Sequence, residues 1–474
     1  MSAFIKTILF YVTSFILAVY PATTYVEGVT GQPQSFFPHQ ARSQNDVTIS
    51  NLVYRGLFKY DIYGALVPDL AESWAISEEG IVYTIKLKDD QYWSDGTQIT
   101  ADDLIYTSFK HPLLQGVATD KVDNLTVRFT LPNKFSPFLS LLTVGIMRVN
   151  SEENYNSLEP VTSGPFRLLS IKRSGPIVQE VVLLNEKSDD EFRKLVFRYY
   201  TNEDELVTAA QLGEIDGFVA SANHELDNFQ KYEFPLQGVY YSLIFNLRNE
   251  KLQDVETRRS LEKVLNKDDL IYPFGIAVEG AISRSSYTDD ALEFDAYDKD
   301  FVGDLKGLEL TLTLPDLEQH EIVSKKVQDA WEDKLNAEIT LNKVAPAEMQ
   351  EQIIKDRNFE VLLYGQEVGR DPDRYINWHS TQQDVPGLNL SGFEQIRADR
   401  ALEEGRNEPD SDIRFTHYQE FQRVVHEQVP AIFLYHPFIK YYVSDYIKGI
   451  GEKYTFRYTD RFLDFSNWSR EKTN

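Results

Sequence analysis

The stretch Tyr83–Phe109, YTIKLKDDQYWSDGTQITADDLIYTSF, packs five aspartates and a tryptophan into 27 residues. It begins inside an alternating run from Ile81 to Leu87, in which every second side chain is apolar. That period of two residues is typical of a half-buried β-strand. The run from Leu125 to Leu131 repeats the alternation, which predicts a second strand of the same small sheet.

The aspartates between these strands stand at positions that local backbone structure explains. Ser94-Asp95-Gly96 predicts a turn, in which glycine supplies the positive φ angle. Thr100 is placed to cap a helix whose first turn holds Asp102 and Asp103, where carboxylates meet the positive end of the helix dipole. We therefore expect these aspartates to maintain the fold and not to form a catalytic or metal site.

The rest of the chain alternates helical and extended patterns. Asn202 opens a helical stretch that Gly213 ends, and Asp254 is placed to cap another helix. A third pattern, with apolar residues about four apart between Ile322 and Leu335, predicts a long amphipathic helix. Extended runs follow at residues 339–344 and 359–364. This alternation predicts a mixed α/β fold and not a helical bundle or an all-β sandwich.

The composition narrows the class of partner. The chain has 474 residues, enough for two or three cores at roughly 100 to 200 residues per domain. Acidic residues number 74 against 48 basic ones, and the resulting net charge of −26 repels phosphate backbones, so we expect no nucleic-acid partner. The chain has no cysteine, which excludes disulfides, thiolate metal ligands and a cysteine nucleophile.

The N-terminus predicts export. Residues 8–20 form an apolar run broken only by Thr13 and Ser14, and Lys6 precedes it. This length fits the apolar region of a signal peptide better than a full membrane span of about 20 residues. The small-x-small pattern that precedes a cleavage site is poor, because Ala18-Val19-Tyr20 ends in a bulky ring. Two alternatives stay open for residues 1–23, a removed signal peptide and a retained membrane anchor, and both place the remaining chain outside the cytoplasmic membrane.

Several different short motifs lie along the chain: Pro68-Asp69-Leu70-Ala71-Glu72-Ser73-Trp74, Tyr83-Thr84, Trp93-Ser94-Asp95-Gly96, Thr100-Ala101-Asp102-Asp103, Ser163-Gly164-Pro165-Phe166, Gly213-Glu214-Ile215-Asp216, Phe245-Asn246 and Asp371-Pro372-Asp373. Together they resemble the extracytoplasmic solute-binding proteins of ABC importers, in the family of oligopeptide and dipeptide binders known as solute-binding protein family 5. The resemblance spans about residues 25–468.

The resemblance implies a two-lobe, type II periplasmic-binding-protein-like α/β fold with an extra subdomain inserted in lobe I. Carried over, lobe I comprises residues 24–56, 160–238 and 444–474, the inserted subdomain residues 57–159, and lobe II residues 239–443. The implied function is to capture peptides, or a peptide-like solute, by hinge closure of two lobes and to deliver them to the permease subunits of an ABC transporter in the membrane. We expect a monomer that needs no cofactor.

Three candidate ligand contacts fall in lobe I and its inserted subdomain. Tyr106 stands where relatives place a tyrosine that faces the ligand, and its hydroxyl is able to bond a peptide main chain while its ring packs. The alternative for Tyr106 is an ordinary core position. Tyr54 and Arg55 begin a segment that borders the cleft in relatives.

Three further candidates fall in lobe II. Where peptide binders carry a glycine-tryptophan pair and then an aspartate for the ligand's amino terminus, this chain has residues 364–373. The tryptophan is missing, and Val368 falls at the place of the aspartate. Gln366 and Glu367 are the expected polar contacts, because Glu367 offers a carboxylate to an ammonium group; ordinary loop positions are the alternative. Trp378, with His379 beside it, is expected to form either an aromatic wall of the site or part of the core.

Catalysis is not expected. The sequence lacks the Gly-x-Ser-x-Gly, His-Glu-x-x-His, Gly-x-x-x-x-Gly-Lys and Gly-x-Gly-x-x-Gly motifs. His417 and His426 lie nine residues apart on a predicted helix, which places them about 180° apart around its axis, so this helix alone does not bring them to one metal. We expect neither catalytic nor metal-binding residues. Two alternatives stay open: a membrane-tethered sensor or adhesion module on the same fold, and a binder of nickel chelates, opines or sugars.

Overall fold

The structure is a computed structural model that describes residues 23–186, 189–282 and 296–471. The predicted signal peptide or anchor lies outside these ranges except for its last residue, Thr23. Among the helices in the described ranges, none has both the length and the apolar character that crossing a membrane requires.

The described part of the chain alternates strands and helices. The helices are α1 Gln44–Val53, α2 Ala101–Lys110, α3 Phe138–Leu141, α4 Ser151–Asn154, α5 Glu203–Gln211, α6 Val255–Lys263, α7 Lys267–Ile271, α8 Glu318–Leu335, α9 Tyr375–Trp378, α10 Ile396–Asn407 and α11 Ser411–Gln428. The strands are β1 Thr24–Thr30, β2 Phe58–Tyr60, β3 Leu66–Pro68, β4 Ala71–Ile76, β5 Val82–Leu87, β6 Ala118–Lys121, β7 Thr126–Thr130, β8 Phe166–Ser174, β9 Ile177–Asn185, β10 Lys194–Tyr200, β11 Gly217–Ala220, β12 Phe229–Pro235, β13 Val239–Phe245, β14 Gly275–Ala277, β15 Glu309–Pro315, β16 Glu338–Val344, β17 Val361–Glu367, β18 Ala431–Ser444, β19 Ile447–Lys448 and β20 Ser469–Arg470.

The chain divides into two compact units. Unit 1 comprises Met1–Asn133, Phe138–Phe234 and Ile439–Asn474, and unit 2 comprises Lys134–Pro137 and Pro235–Phe438. Each unit contains both sheet and helix, as the alternating patterns of the sequence predict. The finer division into lobe I, an inserted subdomain and lobe II, with the boundaries given above, stays a prediction.

The main sheet of unit 1 has a parallel centre. Strand β1 pairs in parallel with β10 on one side and with β11 on the other, and β9 and β8 extend the sheet in antiparallel fashion. Helix α5 covers this sheet through Leu206, Ala209 and Ala210, which pack near Val26 and Phe218. Because β1 is buried along almost its whole length, its single charged residue, Glu27, must find a partner inside the unit.

A smaller sheet in unit 1 contains the stretch with the five aspartates. Its strand order is β4-β5-β7-β6. Tyr83 lies opposite Phe129 and Ile85 opposite Val127, so the prediction that these two runs are strands of the same small sheet is confirmed. The aromatic rings of Tyr83 and Phe129 both contact Phe138, with ring centroids 4.8 and 5.5 Å from its own. The apolar face of the alternating run thus forms a small core of its own.

The aspartates of this stretch have the structural roles expected from the sequence. Gly96 has a φ angle of +87°, and Asp95 accepts the N–H of Thr97 across the turn at 3.0 Å. Helix α2 begins after Thr100, whose N–H donates to Asp103 at 2.9 Å. Asp103 is buried and also accepts the N–H of Val149 at 2.8 Å. Its carboxylate therefore joins the start of α2 to a distant part of unit 1.

The sheet of unit 2 has the order β16-β15-β17-β13-β18. Strand β15 is parallel to β16 and β17, whereas β13 is antiparallel to β17 and β18. The predicted amphipathic helix is confirmed as α8, which buries Val323, Val327, Trp331 and Leu335 completely, one residue per turn. The predicted cap at Asp254 is also confirmed, since its carboxylate accepts the N–H of Thr257 at 2.8 Å.

Candidate functional site

The predicted ligand contacts fall into two groups, one in each unit. Tyr54, Arg55 and Tyr106 lie in unit 1, and the others, including Gln366 and Glu367, lie in unit 2. Across the described ranges, no group of histidine and carboxylate side chains is arranged to hold a metal ion. The candidate residues of both groups carry hydrogen-bonding or aromatic side chains.

Tyr106 lies on α2 at the edge of a charged cluster. Its hydroxyl donates to Glu153 at 3.1 Å and accepts the N–H of Glu152 at 3.3 Å, both from the start of α4. Burial raises the pKa of Tyr106, so the hydroxyl stays a neutral donor. The ring is only partly buried. Its exposed part leaves Tyr106 able to contact a ligand, and that role stays a prediction.

Tyr54 is a buried neighbour of Tyr106. It ends α1, is 4 % exposed, and its hydroxyl has no hydrogen-bond partner among the described residues. The pKa of Tyr54 is raised by burial and, to a smaller extent, by the negative charge of an ionised Tyr106. The structure thus brings these two predicted tyrosines together. A buried hydroxyl donor without an acceptor is costly, and contact between Tyr54 and a ligand stays a prediction.

The side chain of Arg55 forms hydrogen bonds with other residues of unit 1. Its guanidinium donates from Nε and Nη2 to Asp69, at 3.0 and 2.7 Å, and from Nη1 to Gln91 at 2.5 Å. The same side chain therefore joins the segment after α1 to the small sheet that begins near Asp69. This arrangement accounts for Arg55 within the fold, and contact with a ligand stays a prediction.

A surface cavity in unit 1 lies beyond the carboxyl end of β11, which the sequence patterns did not point to. Its volume is about 1020 Å³, and residues 223–229 line it together with Gln211, Lys231 and Tyr442. His224 is held there because its ring pairs with Glu203 at 2.6 Å and its N–H donates to Tyr442 at 2.7 Å. In α/β proteins ligands bind beyond the carboxyl ends of central strands. The polar run that follows this short strand is the sequence signal from which the cavity could have been predicted.

Gln366 and Trp378 in unit 2 are joined by a third residue, Tyr240. The indole Nε1–H of Trp378 donates to the Tyr240 hydroxyl at 3.2 Å, and that hydroxyl donates to Oε1 of Gln366 at 3.0 Å. All three side chains are buried, and burial raises the pKa of Tyr240 to about 12. Trp378 also packs against Phe433. This position fits the core alternative for Trp378, while its contact with a ligand stays a prediction.

Glu367 differs from Gln366 in its exposure. It is the last residue of β17, lies opposite Val239 in the sheet, and exposes its side chain to solvent. Alternation along the strand explains the difference, because successive side chains point to opposite faces. The pKa of the neighbouring Tyr364 is raised by burial first and by the charge of Glu367 second. A carboxylate so placed is accessible to a ligand.

The loop after β17 is held by ion pairs that the sequence patterns did not predict. Arg414 on α11 grips Asp371 with two hydrogen bonds of 2.7 and 2.8 Å, and Arg406 on α10 donates to Asp373 at 2.7 Å. Arg374 is completely buried and donates to the carbonyl oxygen of Asp371 at 2.7 Å. The Asp371-Pro372-Asp373 motif therefore anchors the loop that follows Glu367.

The Tyr240 hydroxyl gives a first testable prediction. We expect Tyr240→Phe to lower the free energy of unfolding by about 2 kcal/mol, because the variant leaves the Trp378 indole and the Gln366 carbonyl buried without partners. Urea denaturation measures the loss. Tyr272→Phe is the matched control, since that ring is 76 % exposed. Equal stability of the two variants would contradict a stabilising role for the hydrogen bonds that join Trp378, Tyr240 and Gln366.

The chain matches a known protein family over most of its length. The model of the bacterial extracellular solute-binding proteins, family 5 (middle), matches residues 65–386, about two thirds of the chain. The oligopeptide-binding protein AppA of Bacillus subtilis is 23 % identical over 87 % of this chain and 86 % of AppA. The dipeptide-binding protein of Escherichia coli is 23 % identical over 94 % of this chain and 96 % of that protein.

Solved structures share the fold. AppA of Bacillus subtilis in complex with a nonapeptide aligns with 95 % of this chain and 100 % of its own, with a TM-score of 0.68 and 20 % identity. NikZ of Campylobacter jejuni in complex with Ni(L-His) aligns with 95 % of this chain and 100 % of its own, with a TM-score of 0.71 and 21 % identity. The expected type II binding-protein fold is confirmed. The chain therefore belongs to the bacterial extracellular solute-binding proteins of family 5.

Proposed function

We propose that this protein is the solute-binding component of an ABC transporter, which captures peptides or a peptide-like solute outside the cytoplasm and delivers them to permease subunits in the membrane. The observation that carries the proposal is family membership over most of the chain, together with relatives named for oligopeptide and dipeptide binding. We further propose that the protein acts as a monomer, without a cofactor and without catalysis, and that residues 1–23 direct its export or anchor it.

The chemistry of the two residue groups supports capture of a peptide. In unit 2, the exposed carboxylate of Glu367 is suited to the ammonium group of a peptide's amino terminus. In unit 1, the Tyr106 hydroxyl and the unpaired hydroxyl of Tyr54 are suited to peptide N–H and C=O groups. The cavity beyond β11 offers room for side chains of varied size. Main-chain contacts with roomy pockets give broad selectivity.

Native mass spectrometry followed by calorimetry tests the proposal. The chain is purified without denaturation, its bound masses are read, and a mixed library of short peptides is then titrated into the emptied protein. We expect co-purifying masses that change with the peptides supplied, and heat on titration. If no peptide releases heat and none co-purifies, the peptide assignment fails while family membership stands.

Glu367 gives the sharpest variant. We expect Glu367→Ala to weaken binding of a peptide with a free amino terminus about tenfold or more, because a charge-assisted hydrogen bond contributes about 1.5 to 3 kcal/mol. The same peptide with an acetylated amino terminus is expected to bind wild type and variant equally. Glu394→Ala is the matched control, since Glu394 is an exposed glutamate elsewhere in unit 2. An unchanged affinity for the free peptide would exclude Glu367 as the amine contact.

A metal chelate is the second candidate ligand, because the similar structure of NikZ holds Ni(L-His). Such a ligand brings its own donor atoms, so the lack of a metal-holding group in the described ranges does not decide against it. Titration with Ni(L-His) beside the peptide library separates the two candidates. Sugars and opines complete the panel. A protein that binds its ligand but no permease would favour the tethered sensor instead.

A further inference from the structure

A small, partly open cavity in unit 2 is lined by ionisable groups. Its volume is about 10 Å³, close to the space that one water molecule needs. Glu262 from α6, Glu279 from the segment after β14, and Gln422 and His426 from α11 contribute its polar lining. Val425 and Phe433 form its apolar side. None of these residues belongs to the candidate ligand contacts described above.

Glu262 has one carboxylate oxygen without a partner. The residue is 9 % exposed, and its Oε2 makes no hydrogen bond with any described residue. The nearby ammonium group of Lys267 pairs with Glu279 at 2.9 Å and donates to the carbonyl oxygen of Val278 at 3.2 Å. The carboxyl group of Glu262 therefore faces a cavity while the local cation is engaged elsewhere. A buried ionised carboxylate in this setting is unfavourable.

We propose that Glu262 and the cavity that it lines form a proton-binding site in unit 2, in which the carboxyl group is held in its neutral form. A cavity of this size accommodates one water molecule, which is a suitable partner for a neutral carboxyl group. The site makes the stability of unit 2 dependent on pH near neutrality. This proposal is independent of the ligand that the protein binds.

Some charged groups around the cavity raise the pKa values of Glu262 and His426, and others lower them. The pKa of Glu262 is raised to about 7, chiefly by burial; Lys267 and Arg259 oppose the rise, and Glu279 adds to it. The pKa of His426 is lowered, chiefly by burial and then by Arg259 and Lys267, whereas Glu427 and Glu279 oppose the change. Burial therefore favours the neutral form of both Glu262 and His426 in the folded protein.

The two groups have opposite effects on stability. Glu262 binds its proton more tightly in the folded than in the unfolded chain, so its contribution is complete below the usual glutamate value of 4.5 and is lost as the pH rises through about 7. His426 binds its proton less tightly when folded, so its contribution is present above its usual value of 6.5 and is lost as the pH falls. A Glu262 variant is therefore needed to isolate the first effect.

Urea denaturation of the full chain and of Glu262→Gln, at a series of pH values from about 4.5 to 8, tests the site. We expect the unfolding constant of the wild type to increase on the order of 100-fold relative to that of the variant across this range. Glu394→Gln is the control, because Glu394 is an exposed glutamate elsewhere in unit 2, and it is expected to keep the pH dependence of the wild type. A constant ratio between wild type and Glu262→Gln at every pH would overturn the proposal.

A second measurement covers the case in which Glu262→Gln fails to fold. Carbon NMR titration of the wild-type chain, labelled at the glutamate carboxyl carbons and with the signals assigned to single residues, reports the midpoint of Glu262 directly. We expect the Glu262 signal to titrate near pH 7, well above the group's usual value of about 4.5. If the Glu262 signal titrates near that usual value, the proton-binding site does not exist.

Discussion

Replacing Arg461 with methionine is expected to lower the free energy of unfolding by about 3 to 5 kcal/mol, because the variant leaves Glu27 as a buried charge without its cation. In unit 1, the guanidinium of Arg461 donates to Glu27 from Nε at 3.0 Å and from Nη2 at 2.9 Å. The two side chains are 2 % and 1 % exposed. At these exposures both charged groups are shielded from bulk solvent.

The surroundings of Glu27 make the loss larger. The Tyr441 hydroxyl donates to Oε2 of Glu27 at 2.8 Å, and its oxygen lies 2.7 Å from the hydroxyl oxygen of Tyr25. Glu27 sits in the centre of β1, so the network joins a central strand to β18 and to the C-terminal segment that carries Arg461. Breaking one member leaves several buried polar groups incompletely paired.

A double variant separates the buried charge from the loss of packing. Glu27→Gln combined with Arg461→Met removes both charges, and we expect it to be more stable than Arg461→Met alone. Urea denaturation of the wild type, the two single variants and the double variant gives the coupling energy between the residues. Additive losses would mean that Glu27 and Arg461 do not stabilise each other.

Local patterns were sufficient to predict several elements of the fold. The strands around Tyr83 and Phe129, the turn at Gly96 and helix α8 each follow from a few neighbouring residues. The buried glutamate of β1 was visible only as one charge in an apolar run, and its partner lies 434 residues away in sequence. Periodicity does not contain such a pairing, because it arises from tertiary packing.

In the candidate site, too, local sequence patterns did not predict contacts between residues that are far apart in the chain. The family motifs singled out Gln366, Glu367 and Trp378, and the structure shows that strand alternation exposes one of them and buries another. Tyr240 was not predicted, because it belongs to β13 and meets Gln366 only through the pairing of β13 with β17. A hydrogen bond between residues 126 positions apart requires the sheet to be known first.

Asp371→Asn gives the second large effect, an expected loss of about 3 kcal/mol in the free energy of unfolding. Asp371 and Arg414 form a bidentate pair, and their side chains are 13 % and 9 % exposed. The amide presents one N–H₂ group towards the guanidinium, where a carboxylate oxygen accepted a hydrogen bond. Arg414 then keeps a buried positive charge with one acceptor fewer.

Asp373→Asn is the matched comparison, because it removes a similar pair two residues away that is more open to solvent. The side chain of its partner, Arg406, is 29 % exposed, so we expect a loss of only about 1 kcal/mol. Because both aspartates anchor the loop after Glu367, peptide affinity is measured beside urea denaturation for each variant. Asp371→Asn is expected to lose more stability and more peptide affinity than Asp373→Asn, since the ion pair of Asp371 with Arg414 fixes the loop to α11. If Asp373→Asn costs as much stability as Asp371→Asn, burial does not set the strength of these pairs.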